Sequence, residues 1–279
     1  MTDRYAVVGN PVAHSRSPSI HAQFAQQTGQ DISYERLLAP LDGFVAAVEA
    51  FRAAGGRGLN VTLPFKLQAF EFAHQRSPRA QAAGAVNTLR FGGEAVFGDN
   101  TDGVGLVRDI QERLGFPLEG KRVLLAGAGG AARGALLPLL QGGVASIVIA
   151  NRTVTRAADL ARLSGDQRVS ACGFDGLANA GPGDAPFDLI VNATSTGLED
   201  AAPPIPTAAY RGLGLAYDMV YGARPTPFMR RAAELGCARV SDGLGMLVEQ
   251  AAESFFVWRG VRPQTGAVLT RLRAEIGTA

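Results

Sequence analysis

Cysteine is nearly missing from this chain: Cys172 and Cys237 are the two among 279 residues, and they stand far apart in no Cys-x-x-Cys pair. Such spacing offers neither a disulfide framework nor a thiolate metal site. Histidine is as scarce, and His14, His21 and His74 lack the i, i+4 separation of a helical zinc pair, so no metal is expected. No stretch comes near the roughly 20 apolar residues of a membrane-spanning helix, and MTDRYAVVGN has no basic run followed by a long apolar one. The expectation is a cytoplasmic protein with no membrane partner. An excess of one charge is lacking too: 27 basic and 25 acidic residues leave a formal +2, too little to attract nucleic acid. Any anion site has to be local.

What the chain has is apolar material, 47% of its residues, laid out in alternation. YAVVG, ISYERLL and RGLNVTL read as strands, and SPSIHAQFAQQTG and LDGFVAAVEAFRAAG as helices, the second with Leu41, Phe44, Val45, Val48 and Phe51 on one face. This pattern predicts βαβ units and a parallel sheet within the first 75 residues. AVNTLRF and EAVFGDN form a hairpin turning at Gly92-Gly93. After Pro117 and the polar link LEGKR a second alternating series begins, with VLLAG, ASIVIANR, FDLIVNATS and LGLAYDMV as buried strands. The chain closes on two helices, the first carrying an apolar stripe of Leu244, Leu247, Val248, Ala251, Phe255 and Trp258 that needs a cover.

Gly127-Ala128-Gly129-Gly130-Ala131-Ala132 fits G-x-G-x-x-A between an apolar strand and a helical run. Gly127 permits the turn, Gly129 lets the backbone approach a pyrophosphate, and the helix N-terminus offers its N–H groups to phosphate. An NAD-binding unit carries an acidic residue about 20 positions on, at the end of the second strand. Here Asn151, Arg152 and Thr153 stand there, with Arg156 four residues after Arg152. Cations at a helix N-terminus oppose its dipole, and an anion such as a 2′-phosphate resolves the conflict. NADP is favoured over NAD.

Three polar clusters lie upstream. HSRSP puts the Ser15 and Ser17 hydroxyls on alternate residues before a proline. NVTLPFK ends a strand with Asn60 and Thr62 and puts Lys66 in the first turn of the next helix, where the positive helix end disfavours the ammonium and makes a neutral amine more accessible. GDNTDG sets Asp102 before a helix. Each alone is explained by capping or by a solvated surface group. Together they lie at strand ends, where open α/β sheets bind ligands, and their chemistry suits a small polyhydroxylated substrate.

HSRSP, NVTLPFK, AGAVNTL, GDNTDG, GAGGAAR, NRT, NATSTGL, YDMVY and DGLGMLVEQA, in this order over almost the whole chain, resemble the shikimate dehydrogenase family. The resemblance implies NADPH-dependent reduction of 3-dehydroshikimate to shikimate, in the pathway to the aromatic amino acids. It implies two α/β domains with a cleft between them: a substrate-binding domain at 1–102, completed by C-terminal helices from about 244 to 279, and a Rossmann-type NADP-binding domain at 103–243. A monomer or a homodimer is expected.

Carried over by the resemblance, Ser15 and Ser17 hold the substrate carboxylate, while Asn60, Thr62, Asn87, Asp102 and Gln250 bond ring hydroxyls and Tyr221 faces the substrate. Lys66 gives the proton to the carbonyl oxygen, with Asp102 orienting it and balancing its charge. Gly127, Gly129, Gly130 and Ala131 meet the pyrophosphate; Asn151, Arg152, Thr153 and Arg156 meet the adenosine ribose and its 2′-phosphate. Thr194, Ser195, Met219 and Gly243 follow the nucleotide toward the nicotinamide, the last two through backbone groups. Arg16, between the serines, resembles the lysine of many biosynthetic members, which favours shikimate over quinate. Two other readings are compatible with the sequence. One is a quinate/shikimate dehydrogenase that takes NAD, against which Arg152 and Arg156 argue; the other is a non-catalytic NADP-sensing protein, against which Lys66 and Asp102 argue.

Overall fold

The structure, a computed structural model, describes residues 2–93, 95–179, 186–194, 196 and 201–277. The chain divides into two compact units, Met1–Gly105 with Leu247–Arg271, and Leu106–Met246 with Leu272–Ala279.

The first unit carries β1 (Asp3–Gly9), α1 (Ser17–Thr28), β2 (Ile32–Leu38), α2 (Phe44–Ala53), β3 (Gly56–Val61), α3 (Lys66–Phe72), β4 (Gln75–Arg76), α4 (Pro78–Ala83), β5 (Thr88–Gly92) and β6 (Ala95–Asp99), and α5 (Asp102–Arg108) begins in it. Its sheet runs β2-β1-β3-β5-β6-β4. As the alternation predicts, β1 pairs in parallel with β2 and β3, and the hairpin β5–β6 then adds antiparallel strands. Central β1 is apolar on both faces and buried from Tyr5 to Gly9, whereas edge strand β2 alternates between exposed and half-buried residues.

The expected face of α2 is narrower than the sequence pattern. Phe44, Val48 and Phe51 are buried, while Leu41 and Val45 are 65% and 54% exposed. The helix starts at Phe44, so Leu41 precedes it, and Val45 sits one residue around the axis from the buried face.

In the second unit β7 (Arg122–Ala126), α6 (Gly130–Gln141), β8 (Ser146–Ala150), α7 (Val154–Ser164), β9 (Val169–Cys172), β10 (Leu189–Asn192), β11 (Leu215–Asp218), α8 (Pro227–Glu234) and β12 (Val240–Ser241) build a sheet in the order β12-β11-β10-β7-β8-β9. Every pairing is parallel. This is the doubly wound order of dinucleotide-binding folds, with the switch point between β7 and β10. β10 and β11 are buried throughout, as parallel strands covered on both faces must be.

α9 (Leu244–Arg259) and α10 (Gly266–Gly277) end the chain. The stripe on α9 finds its cover in the first unit: Phe255 meets Phe24 edge-on at 5.9 Å, and Trp258 stacks on Tyr5 at 4.6 Å. The Trp258 indole N–H donates to the Leu89 carbonyl at 2.9 Å, which satisfies its polar end. No described helix is long and apolar enough to cross a membrane.

Candidate active site and dinucleotide site

At the start of α1, Ser15 N–H bonds the Val12 carbonyl at 3.0 Å and folds HSRSP into a turn. Arg16 holds the capping position without a side-chain cap, and no acidic residue stands in the first turn. The Ser15 hydroxyl lies 3.2 Å from that of Ser17 and accepts the Ser17 N–H at 3.3 Å. Two hydroxyls therefore sit at a helix N-terminus whose capping residue supplies no side-chain acceptor, a suitable place for an anion.

Pro64 does not open α3. Phe65 N–H closes a turn onto the Thr62 carbonyl at 3.0 Å, buried Phe65 anchors it, and the helix begins at Lys66. Lys66 Nζ lies 2.6 Å from Asp102 Oδ2, with the two side chains 31% and 14% exposed. The positive helix end is thus answered by a carboxylate, which the sequence-based argument about the neutral amine did not include.

From Asp102 the network runs inward. Its Oδ1 accepts from Asn87 Nδ2 at 2.8 Å, and the same amide reaches Gln250 Oε1 at 3.2 Å and Thr101 Oγ1 at 3.0 Å. Asn87 Oδ1 accepts from the Thr101 N–H at 2.9 Å. Gln250 and Ser254, one turn apart on α9, both face this cluster, Ser254 Oγ lying 2.8 Å from Thr88 Oγ1. Lys66, Asp102, Asn87 and Gln250, chosen from distant segments, are brought together.

Asn60 is a different case. Its Oδ1 accepts from Tyr34 Oη at 2.7 Å and meets His21 Nε2 at 3.2 Å, while its Nδ2 donates to Ser254 Oγ at 2.9 Å and to the Asn87 carbonyl at 3.3 Å. A side-chain amide accepts two bonds and donates two, so all of its capacity is used within the protein. His21 is stacked on Tyr34 at 4.3 Å, and burial pushes its imidazole down to about 3. The ring is neutral and Nε2 carries the proton toward Asn60. The Tyr34 hydroxyl is raised by burial, partly opposed by a hydrogen bond from Ser17, so Ser17 and Asn60 share one tyrosine. Thr62 is half-buried where the chain leaves β3.

In the second unit Gly127 has φ 111°, and a Cβ there would stand 2.9 Å from the Ala193 carbonyl oxygen, so glycine is required. Above Gly129 and Gly130 a Cβ would meet nothing within 4 Å, which leaves the N-terminus of α6 open to a ligand. A cavity of about 540 Å³ is lined there by Gly127, Gly129, Gly130, Ala131, Asn151, Arg152, Thr153, Arg156 and Thr194. Arg152 precedes α7 rather than sitting in its first turn, yet it and Arg156 line the same cavity. Asn151 Nδ2 donates to the Thr153 carbonyl at 2.9 Å and holds that corner. Glycines at a helix N-terminus and two arginines, with no carboxylate among the described lining residues, match the phosphates of NADP.

Gly243 and Met219 meet through the backbone. A side chain at 243 would collide with the Met219 carbonyl, and the Gly243 N–H bonds the Val220 carbonyl at 3.1 Å. Tyr221 is half-buried in the loop after β11, in the second unit. Ser195 lies outside the described residues. Among the described residues no group of three histidine, cysteine, aspartate or glutamate side chains could hold a metal.

Three family models match in chain order: the shikimate dehydrogenase substrate binding domain over residues 7–89, the shikimate / quinate 5-dehydrogenase over 109–198, and the shikimate 5′-dehydrogenase C-terminal domain over 243–273. A shikimate dehydrogenase (NADP(+)) of Aromatoleum aromaticum is 58% identical over 98% of each chain. The chain belongs to the shikimate dehydrogenase family. Among solved structures, an Ael1 enzyme from Pseudomonas putida is 49% identical with a TM-score of 0.93, covering 97% of this chain and 98% of that one. Shikimate 5-dehydrogenase from Thermus thermophilus, solved with NADP(H) and shikimate, is 36% identical with a TM-score of 0.86, covering 98% of this chain and 99% of that one.

Sequence reasoning missed the residues that hold this family site in place. His21, Tyr34, Thr88, Thr101 and Ser254 brace Asn60 and Asn87. Asn192 Oδ1 accepts from Thr194 Oγ1 at 2.7 Å, and Asn192 Nδ2 donates to buried Asp218 at 3.2 Å. Burial raises the Asp218 carboxyl, opposed by hydrogen bonds from Thr226, Val220 and Asn192. The available signal was polar residues inside otherwise apolar strand ends, as in LIVNAT and AYDMV. Phe174 and Pro204 also line the cavity and carried no signal at all, and Thr196 stood within NATSTGL without being singled out.

Proposed function

We propose that the protein catalyses the reversible reduction of 3-dehydroshikimate to shikimate with NADPH, as the shikimate dehydrogenases it resembles do, with the first unit binding the substrate and the second the dinucleotide. The observation that carries this is the Lys66–Asp102 pair at 2.6 Å, tied through Asn87 to Gln250, in the chain that also holds the arginine-lined cavity. NADPH, when bound, supplies the hydride to the substrate carbonyl carbon.

Lys66 gives its proton to the carbonyl oxygen as reduction proceeds and takes it back in the oxidation of shikimate. Asp102 holds the ammonium in one position through Oδ2 and is itself held by Asn87 through Oδ1. Ser15 and Ser17 receive the substrate carboxylate, and Thr62, Asn87, Asp102 and Gln250 bond the ring hydroxyls. Asn60, with its hydrogen bonds already engaged, acts as a brace behind them. Tyr221 is a further substrate contact in this reading.

Gly127, Gly129, Gly130 and Ala131 receive the pyrophosphate, and Asn151 and Thr153 the adenosine ribose. Arg152 and Arg156 take the 2′-phosphate, while Thr194, Ser195, Met219 and Gly243 continue toward the nicotinamide. Cys172 and Cys237 are both free, which suits a cytoplasmic enzyme. A monomer or homodimer is proposed, to be read by light scattering. The activity itself is tested by incubating the purified protein with shikimate and NADP and following nicotinamide absorbance.

A further inference from the structure

Ser15 and Ser17 are neutral donors, whereas the group they are proposed to hold is an anion. A carboxylate leaving water needs a positive charge or charged hydrogen bonds to offset its desolvation. α1 contributes its N-terminal N–H groups, and a cation from another element reaches the same turn. Arg36, on edge strand β2, donates from Nε and Nη2 to the Ser15 carbonyl at 3.1 and 2.7 Å. The pairing fixes the turn that presents the Ser15 hydroxyl. A carbonyl is neutral, so the guanidinium charge is not cancelled by this contact, and no carboxylate among the described residues lies within ion-pair distance of Arg36. Its neighbour Glu35 is engaged instead by Arg4 at 2.7 Å.

We propose that Arg36 is a specificity-determining residue for a carboxylate-bearing substrate: it positions Ser15 and supplies the positive charge that the two serine hydroxyls lack. The inference rests on the function proposed above, and it assigns to a β2 side chain a role that no motif in the sequence announced. Arg16, adjacent in the chain, adds to the local positive field, but it does not make the two-point contact that ties Arg36 to Ser15. Because Arg36 is exposed, its contribution is the modest one of a solvent-screened charge, about fivefold in affinity.

The test compares shikimate with its methyl ester, a neutral probe of nearly the same shape, on wild type, Arg36→Gln and Arg36→Lys, with KM, kcat and the KM for NADP measured at low and high salt. The expected result for Arg36→Gln is a rise of about fivefold in KM for shikimate, little change for the ester, kcat within about twofold and an unaltered KM for NADP. Arg36→Lys recovers most of the loss, and added salt raises the shikimate KM in wild type more than in Arg36→Gln. A KM that rises equally for acid and ester shows Arg36 to be a support for the turn alone, and an unchanged KM removes it from the site; either overturns the inference while wild-type turnover leaves the proposed function standing. A wild-type protein that neither turns over nor binds shikimate overturns both.

Discussion

Lys66 Nζ and Asp102 Oδ2 are 2.6 Å apart, and each belongs to the first residue of its helix, α3 and α5. The ammonium that faces an unfavourable helix end is held by the carboxylate that the other helix end favours. This arrangement gives the proposed proton donor a fixed direction. Lys66→Ala is expected to lower kcat by about 10²- to 10⁴-fold, the range of general acid–base catalysis, with little change in shikimate binding. Asp102→Asn keeps an acceptor for Lys66 but removes the charge, and lowers kcat less than Lys66→Ala. Steady-state kinetics with shikimate and NADP checks both; a kcat that survives Lys66→Ala with only KM raised makes lysine a binding group.

Arg152 and Arg156 line the cavity at the start of α6, where an NAD-binding unit carries a carboxylate. Arg152→Ala is expected to weaken NADPH by about 1.5 to 3 kcal/mol, the loss of a charged hydrogen bond, and to leave NADH use nearly unchanged. Fluorescence titration with each cofactor reads the difference. An equal loss for both places Arg152 elsewhere than at the 2′-phosphate.

Much of the fold was legible because strand and helix periodicities announce themselves locally, and the glycine loop and the arginines at the end of β8 lie within one βαβ unit. The bracing of the site was not. Asn60 meets His21, Tyr34 and Ser254 from α1, β2 and α9, three segments whose convergence is a tertiary fact with no local pattern. His21 reads in sequence as an ordinary helix residue, and only the stacked Tyr34 and the burial of both give it a role. The exposed Val45 and Leu41 show the same limit from the other side: apolar spacing marks a face, while the start of the helix decides which residues lie on it.

His21 gives a pH prediction. Its folded value of about 3 lies below the ordinary 6.5, so unfolding takes up a proton between those pH values. Stability is fully present above pH 6.5 and declines as pH falls through this window, with a contribution of about 1.4 kcal/mol per pH unit at most. His21→Phe keeps the apolar ring and loses the bond to Asn60, at about 1 kcal/mol in neutral solution. Urea unfolding from pH 8 to pH 5 is expected to show the gap between wild type and variant closing as pH falls and reversing below about pH 6. A constant gap contradicts the neutral buried imidazole.

Gly243 and Met219 meet through backbone groups, so their side chains separate cleanly. Gly243→Ala drives a Cβ into the Met219 carbonyl and is expected to cost about 1 to 3 kcal/mol and to weaken NADPH binding. Met219→Leu is expected to change neither by much. Thermal unfolding and NADPH titration on the two variants check this, and equal damage from both gives the Met219 side chain a role of its own.

The central claim, a shikimate dehydrogenase that uses NADP, is tested most directly by kcat/KM for shikimate and quinate, each with NADP and with NAD. The account predicts that shikimate with NADP exceeds every other pairing by at least about tenfold, the effect of about 1.4 kcal/mol at the 2′-phosphate or the substrate site. Equal values for quinate with NAD would contradict it.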